Sequence, residues 1–327
     1  MLRCSILLLV GCTPRMGRLD LESPAVVSEL GLPASVADTT RFAVLGDFGH
    51  QDDGALPASS RTLLDRVLEG CPDCDFVVLA GDNVYPNGVP RSGDTRVLDA
   101  IADAVPIPVV VVLGNHDWGA YWWPFGGASR QRATRELEWI ARRDDVVGGH
   151  FWSLDTPAAR LVGLDSTYLV RRCSKTGTCR GQDAIAILRP TFDTDRWTVA
   201  VGHHPLASDG WHGDAGHYAD PVVSLGRGRG YRTLLEAVSP DLVVSGHDHH
   251  LQVVPDGSIL QVVSGSGSEQ RPVRARASSL FASDQAGFAL VTLTSDELRI
   301  EIHTEGACTA FTRDRTSAPR PAPCGGI

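Results

Sequence analysis

An excess of basic charge, an apolar run of membrane length, an internal repeat and a doubled Cys-x-x-Cys pattern are all missing from this sequence. Each absence removes a class of function. Lysine and arginine total 30 against 39 aspartates and glutamates, a formal charge of -9, so the surface lacks the cationic track that a nucleic-acid platform needs. The local basic stretches "RGRGYR" and "RPVRAR" read as solvated loops. The apolar run at the N-terminus falls well short of the roughly 20 residues that span a bilayer. "CPDC" at 71–74 has no second Cys-x-x-Cys or spaced histidine pair to complete a tetrahedral zinc site. With no repeat and no long low-complexity segment, neither a repeat array nor a disordered scaffold is indicated.

What is present is a chain of 327 residues with 43% hydrophobic content, enough to bury a sizeable core in one large α/β domain or two small ones. Its first residues, "MLRCSILLLVGCTP", combine one arginine, a short apolar run and "LVGC", which resembles a bacterial lipobox whose cysteine, here Cys12, becomes lipidated after cleavage. Residues 1–12 are read as a signal and lipobox segment, 13–40 as a linker, 41–315 as the folded domain and 316–327 as a Pro-rich tail. The expected location is periplasmic or membrane-anchored as a lipoprotein, with an extracellular one also open, and the expected state is a monomer. Beyond Cys4 and Cys12, six cysteines fall into locally spaced pairs: Cys71 with Cys74, Cys173 with Cys179, and Cys308 with Cys324. An even count in an exported chain predicts disulfides; a zinc or redox role for "CPDC" is the alternative.

Short apolar runs alternate with longer amphipathic segments. "RFAVLG", "DFVVLAG", "IPVVVVLG", "ARLVGLD", "WTVAVG" and "DLVVSG" have the composition of strands buried on both faces. Helices are predicted over 59–69, 95–104, 129–143 and 229–237. "LQVVPDGSILQVVSG" and "GFALVTLTSDELRIEIH" read as hairpins turned by "PDG" and "TSDE". The pattern predicts an α/β sandwich with its sheets between helices.

Five of these runs end alike, in an apolar stretch followed by glycine and a metal-capable side chain. They are "LGDFG" with Asp47, "AGDNVY" with Asp82 and Tyr85, "LGNHD" with Asn115 and His116, "VGHHP" with His203 and His204, and "SGHDHH" with His247, His249 and His250. In α/β sheets ligands collect beyond the carboxyl ends of strands, so these segments are expected to converge. Two carboxylates, an amide oxygen, a phenolate and three imidazoles exceed the needs of one four-coordinate zinc but suit two metals bridged by a carboxylate. Two such cations can hold the attacking and leaving oxygens of a phosphoryl displacement, which points to phosphoester hydrolysis.

With these segments the chain resembles the calcineurin-like metallophosphoesterases, and within them the purple acid phosphatases of the small tartrate-resistant type. The family pattern DxG, GDxxY, GNH(D/E), VxxH, GHxH reads here "DFG", "GDNVY", "GNHD", "AVGH" and "GHDH", with Ala200 in the valine position of the fourth. The resemblance implies a sandwich of two mixed β-sheets flanked by helices. It also implies a first site, Fe(III), formed by Asp47, Asp82, Tyr85 and His249, and a second, Fe(II), Zn(II) or Mn(II), formed by Asp82, Asn115, His203 and His247. His116 takes the position that steadies the phosphate and the leaving group, and His212, in "WHG", that of a second acid or substrate contact. His204, His217 and His250 are left between supporting and exposed roles. The implied activity is an acid phosphatase in which metal-generated hydroxide attacks a small phosphomonoester. A phosphodiesterase or nucleotidase with a Mn or Zn pair is the nearest alternative, and a non-catalytic, metal-binding surface lipoprotein a more distant one. Trp118, Tyr121, Trp122, Trp123 and Trp211 are read as packing together or stacking on a leaving group.

Overall fold

Alternation within single strands decides the layering. The computed structural model describes residues 19, 28–32, 38–119, 129–174, 176–179, 181–214 and 229–325. In Thr40–Leu45, Phe42 and Val44 enter one core while Ala43 and Leu45 enter another, and Phe76–Leu79 divides Phe76 and Val78 from Val77 and Leu79 in the same manner. A strand with period-two side chains and two apolar faces must be covered on both sides. The central core is where the two sheets meet, Phe42, Val44, Phe76 and Val78 packing in one cluster with Trp152, Leu154, Val199, Val201 and Val244. Outside the first sheet lie the helices Ala58–Gly70, Arg96–Ala104 and Arg130–Ile140, which contribute Leu63, Leu64, Val97, Ile101 and Trp139. Outside the second lie Ser166–Arg172, Ala184–Leu188 and Arg229–Val238, which bring Tyr168, Leu188, Tyr231 and Leu234 onto Val162, Ala200 and Val243. Each such burial stabilises by about 1.5–3 kcal/mol.

The result is the expected α/β sandwich of two mixed sheets flanked by helices, each sheet with eight strands. The first runs Arg320–Ala322, Ala307–Asp314, Glu297–Thr304, Gly287–Leu293, Thr40–Leu45, Phe76–Leu79, Val109–Val111, Val146–Gly148, antiparallel as far as Thr40–Leu45 and parallel beyond it. In the second, Ala159–Leu164, Trp197–Gly202, Leu242–Ser245 and Ile259–Ser264 are neighbours and parallel. Parallel strands end together, and the two carboxyl edges face each other. Gly46 N donates to the Ser264 carbonyl at 2.7 Å, and His203 Nδ1 lies 3.0 Å from the Ala80 carbonyl, so side and main chains cross between the sheets at this edge.

Both predicted hairpins form, Leu251–Asp256 with Ile259–Ser264 and Gly287–Leu293 with Glu297–Thr304. The three cysteine pairs are disulfides. Two stretches are more ordered than expected. Ser28–Leu30, within the predicted linker, pairs with Phe151–Asp155, and Arg320–Ala322, within the predicted tail, pairs with Ala307–Asp314 beside the Cys308–Cys324 bridge. Pro321 is tolerated there because this strand is an edge. Cys12 lies outside the described residues, among which no helix is long and apolar enough to cross a membrane.

Candidate metal centre

Three of the predicted ligands have left-handed backbones: Asp47 at φ 56°, Asp82 at φ 55° and His247 at φ 69°. Non-glycine residues adopt this conformation at a cost, and such outliers gather at functional sites. The glycines beside them are needed for close approach. A Cβ on Gly114 would lie 2.2 Å from Asp82 Oδ1, and one on Gly246 would lie 2.5 Å from Asp47 Oδ2. The apolar-Gly-polar pattern thus lets one ligand loop pass directly over the carboxylate of another.

The predicted ligands converge in two overlapping groups. In the first, Tyr85 Oη lies 2.9 Å from Asp47 Oδ1, 3.1 Å from Asp82 Oδ2 and 3.3 Å from His249 Nε2, with His249 Nε2 also 3.3 Å from Asp47 Oδ1. In the second, His203 Nε2 lies 3.1 Å from Asn115 Oδ1, 3.2 Å from His247 Nδ1 and 3.2 Å from Asp82 Oδ2. Asp82 belongs to both. Its other oxygen, Oδ1, accepts from His116 N at 2.7 Å, and Asp47 Oδ2 accepts from His247 N at 2.7 Å. His203 Nδ1 donates to the Ala80 carbonyl, which turns Nε2 toward the shared carboxylate.

Electrostatics give the donors a reason to want a cation. Burial, then Asp47 and Asp82, raise the Tyr85 phenol well above its ordinary pKa. Burial opposes the Asp82 carboxylate, yet His203 and His116 outweigh it and hold the group below the usual carboxylate range. Burial also opposes protonation of His203, but Asp82 and Asp47 push it up to about 9. Burial and the neighbouring His212, His204 and His203 keep His247 neutral, the form in which imidazole binds metal. Protons on Tyr85 and His203 therefore occupy the place of positive charge among buried acids, and metal binding exchanges them. The donor set fits. Ligands about 2.1 Å from one ion lie roughly 3 Å from one another, the spacing seen in both groups.

His116 and His212 flank these groups. His116 Nδ1 lies 2.6 Å from the Pro86 carbonyl, and its Nε2 is 3.9 Å from Asp82 Oδ2. The His212 ring centre is 4.2 Å from that of His247, and its backbone N–H donates to Asp248 Oδ1 at 2.9 Å. His204 and His250 are buried: His204 Nδ1 meets Ser166 Oγ at 2.9 Å, and His250 Nε2 meets Gln252 Oε1 at 3.1 Å. Trp118 is buried on Asp165 through its indole N–H, whereas Trp211 is 72% exposed beside His212. His217, Tyr121, Trp122 and Trp123 lie outside the described residues.

A sixth segment reaches the centre that the motif search passed over. After Ile259–Ser264 the chain runs "GSGSEQR"; Ser268 Oγ donates to the Asp47 carbonyl, and Glu269 Oε2 lies 3.3 Å from His249 Nδ1. The signal was available in the apolar run followed by Ser-Gly, but serine and glycine carry no metal-capable group. A second cluster of donor atoms, Glu301, His303 and Cys308, is closed to metal because Cys308 is bridged to Cys324.

The family model described as calcineurin-like phosphoesterase matches residues 40–251. Among curated relatives, purple acid phosphatase 3 of Arabidopsis thaliana is 26% identical over 310 residues, covering 85% of this chain and 78% of that protein. Tartrate-resistant acid phosphatase type 5 of Rattus norvegicus is 24% identical over 271 residues, covering 72% and 75%. The solved structure of GAP50, the anchor in the inner membrane complex of Plasmodium, shares the fold with a TM-score of 0.60 at 19% identity, covering 81% of this chain and 84% of that one. The five strand-end motifs, the two-sheet sandwich and these likenesses agree, and the chain belongs to the calcineurin-like phosphoesterase family.

Proposed function

We propose that this chain is a binuclear-metal acid phosphatase acting on small phosphomonoesters. Its first site would be held by Asp47, Asp82, Tyr85 and His249, and its second by Asp82, Asn115, His203 and His247. One observation carries the proposal: Asp82 Oδ2 is 3.1 Å from Tyr85 Oη and 3.2 Å from His203 Nε2, within ligand spacing of both groups at once. Fe(III) at the first site, with Fe(II), Zn(II) or Mn(II) at the second, would supply an acidified water and a clamp for phosphoryl oxygens.

The chain's own residues supply the rest. His116, anchored through Nδ1 on the Pro86 carbonyl, keeps Nε2 toward the centre, where its proton can pass to the departing alkoxide. Asp82 Oδ1, accepting from His116 N, fixes the backbone that carries this histidine. His212, stacked near His247, is a substrate contact on the opposite flank. A proton-donating imidazole and an acidified water together favour turnover in acid. The three disulfides support an oxidising compartment outside the cytoplasm, and Cys12 in "LVGC" would be the lipid anchor.

Metal analysis, a visible spectrum and a pH profile on p-nitrophenyl phosphate, all on natively purified protein, test the proposal. Two metals per chain, a visible band from Tyr85 on iron and an acidic optimum are expected. A colourless, active enzyme would favour a phosphodiesterase or nucleotidase with a Mn or Zn pair. Fewer than two metals after reconstitution, without turnover, would favour a non-catalytic role, to which the likeness to the Plasmodium anchor protein also points.

A further inference from the structure

The segment that follows Ile259–Ser264 is pinned to two of the ligand loops. Ser268 Oγ donates to the Asp47 carbonyl, and Arg271 N donates to the His249 carbonyl at 2.7 Å. Between these anchors Glu269 faces three partners: His249 Nδ1 at 3.3 Å, His50 Nε2 at 3.6 Å and Arg271 Nε at 3.3 Å. The carboxylate thereby holds the guanidinium by its inner nitrogen. The two terminal nitrogens of Arg271 make no hydrogen bond among the described residues, and the side chain is 38% exposed. Its backbone bond to the His249 carbonyl and the Glu269 carboxylate shared with His249 Nδ1 place it beside the first ligand group.

An arginine held by Nε with its outer edge open presents two parallel N–H donors, the geometry that grips a phosphate or carboxylate in bidentate fashion. Glu269 lies between that edge and His249, so an anion bound there belongs to a part of the substrate farther out than the phosphoryl group at the metals. We propose that Arg271, fixed by Glu269, binds a second anionic group of the substrate, apart from the phosphoryl group at the metals. The preferred substrates are then phosphoanhydrides, bisphosphates or phosphorylated acids rather than phosphate esters of uncharged alcohols. This assignment rests on the phosphatase reading and narrows its substrate class.

The experiment compares kcat/KM of the metal-loaded wild type, Arg271→Gln and Arg271→Lys on p-nitrophenyl phosphate, pyrophosphate and phosphoglycolate. Loss of a hydrogen-bonded charge contact predicts that Arg271→Gln loses roughly 10- to 100-fold more on a substrate with two anionic groups than on p-nitrophenyl phosphate, mainly through KM. Arg271→Lys should recover part of that excess, and added salt should shrink it in the wild type. An excess loss on pyrophosphate identifies a phosphoryl as the second group, and one on phosphoglycolate a carboxylate. Equal losses on all three substrates, or none, with unchanged thermal melts, would overturn the role of Arg271 alone. A fully metal-loaded wild type that hydrolyses none of the three would overturn this role together with the phosphatase reading.

Discussion

Tyr85 donates its hydroxyl proton to Asp47 Oδ1 at 2.9 Å, deep in the protein and across 38 positions of sequence. The same oxygen is 3.1 Å from Asp82 Oδ2, so one neutral phenol stands between two buried carboxylates. Its raised pKa keeps that proton in place while no metal is bound. Replacing Tyr85 by Phe removes this donor and leaves the two acids facing each other with no phenol between them. The chelated Tyr85→Phe protein should lose about 1–3 kcal/mol of stability, read as a lower melting temperature in EDTA. Once loaded with iron, it should also lack the visible band of the wild type. Identical melts in EDTA would show that the phenol is not the bridge between these acids.

Asp82 and Asp47 differ in how many ligand groups they join, and metal content should report it. Asp82 touches ligand atoms of both groups, while Asp47 touches those of Tyr85 and His249 in the first and only the backbone N–H of His247 in the second. Asp82→Ala should bind less than one metal per chain and lose turnover. Asp47→Ala should retain about one, held by the His203 and His247 group. Equal metal content in the two variants, measured by elemental analysis after dialysis, would refute a shared carboxylate.

Glu269 should affect metal retention rather than metal identity. Its carboxylate lies 3.3 Å from the His249 ring nitrogen that faces away from Asp47, without a hydrogen bond between them, and a negative charge there strengthens an imidazole that gives its other nitrogen to a metal. Glu269→Ala is expected to weaken one of the two metals by roughly 10- to 100-fold. Competition with a chromophoric chelator measures this without any assay of activity. Affinities equal to the wild type at both sites would remove Glu269 from the centre's support.

The proposed ligands are legible in the sequence because their chemistry is rare and their context repeats. Asp47, Asp82, Asn115, His203 and His247 each follow a glycine at the end of an apolar run. The helices Ser166–Arg172 and Ala184–Leu188 went unread because they are too short to show a period. Their start signals are plain afterwards, since Asp165 accepts from Tyr168 N and Asp183 from Ile185 N and Ala186 N. Glu136 lay in a correctly predicted helix, but nothing in its spacing marked it as a buried acid.

Glu136 offers a test of pH linkage away from the ligands. It is fully buried, accepts from Asn83 Nδ2 at 2.9 Å and lies near Asp117, which takes three backbone N–H bonds from Asn83, Val84 and Gly114. Burial, then Asp117, push the Glu136 carboxyl well above the ordinary range. Because the folded state holds the proton more tightly, the protein is favoured at low pH and loses stability as pH rises from the unfolded carboxylate value, about 4.3, toward the folded one. Glu136→Gln keeps the shape without the proton. Urea unfolding should show the variant gaining on the wild type between pH 5 and 8 and matching it near pH 4. A constant difference across that range would mean that Glu136 is ionised in the fold.

The loop that carries Trp211 and His212 should depend on Arg276, which is remote in sequence. Arg276 donates through Nε to Asp209, through Nη2 to the Ser208 carbonyl at 2.7 Å and to Asp214 Oδ1 at 2.9 Å, and through its backbone N to Asp209 Oδ2 at 2.7 Å. Burial opposes the Asp209 carboxylate, but Ser279 and Arg276 overcome it and hold its pKa below the ordinary value. A depressed carboxylate stabilises the fold above its unfolded pKa and loses that contribution as pH falls through the folded one. The clamp therefore stays closed through the mildly acidic range in which the enzyme is proposed to work. Arg276→Ala should cost about 1–3 kcal/mol at pH 5 and pH 7 alike, with the difference shrinking below about pH 4. With the loop released, kcat should fall although every proposed metal ligand is intact. Full activity in a destabilised Arg276→Ala protein would mean that His212 has no part in turnover.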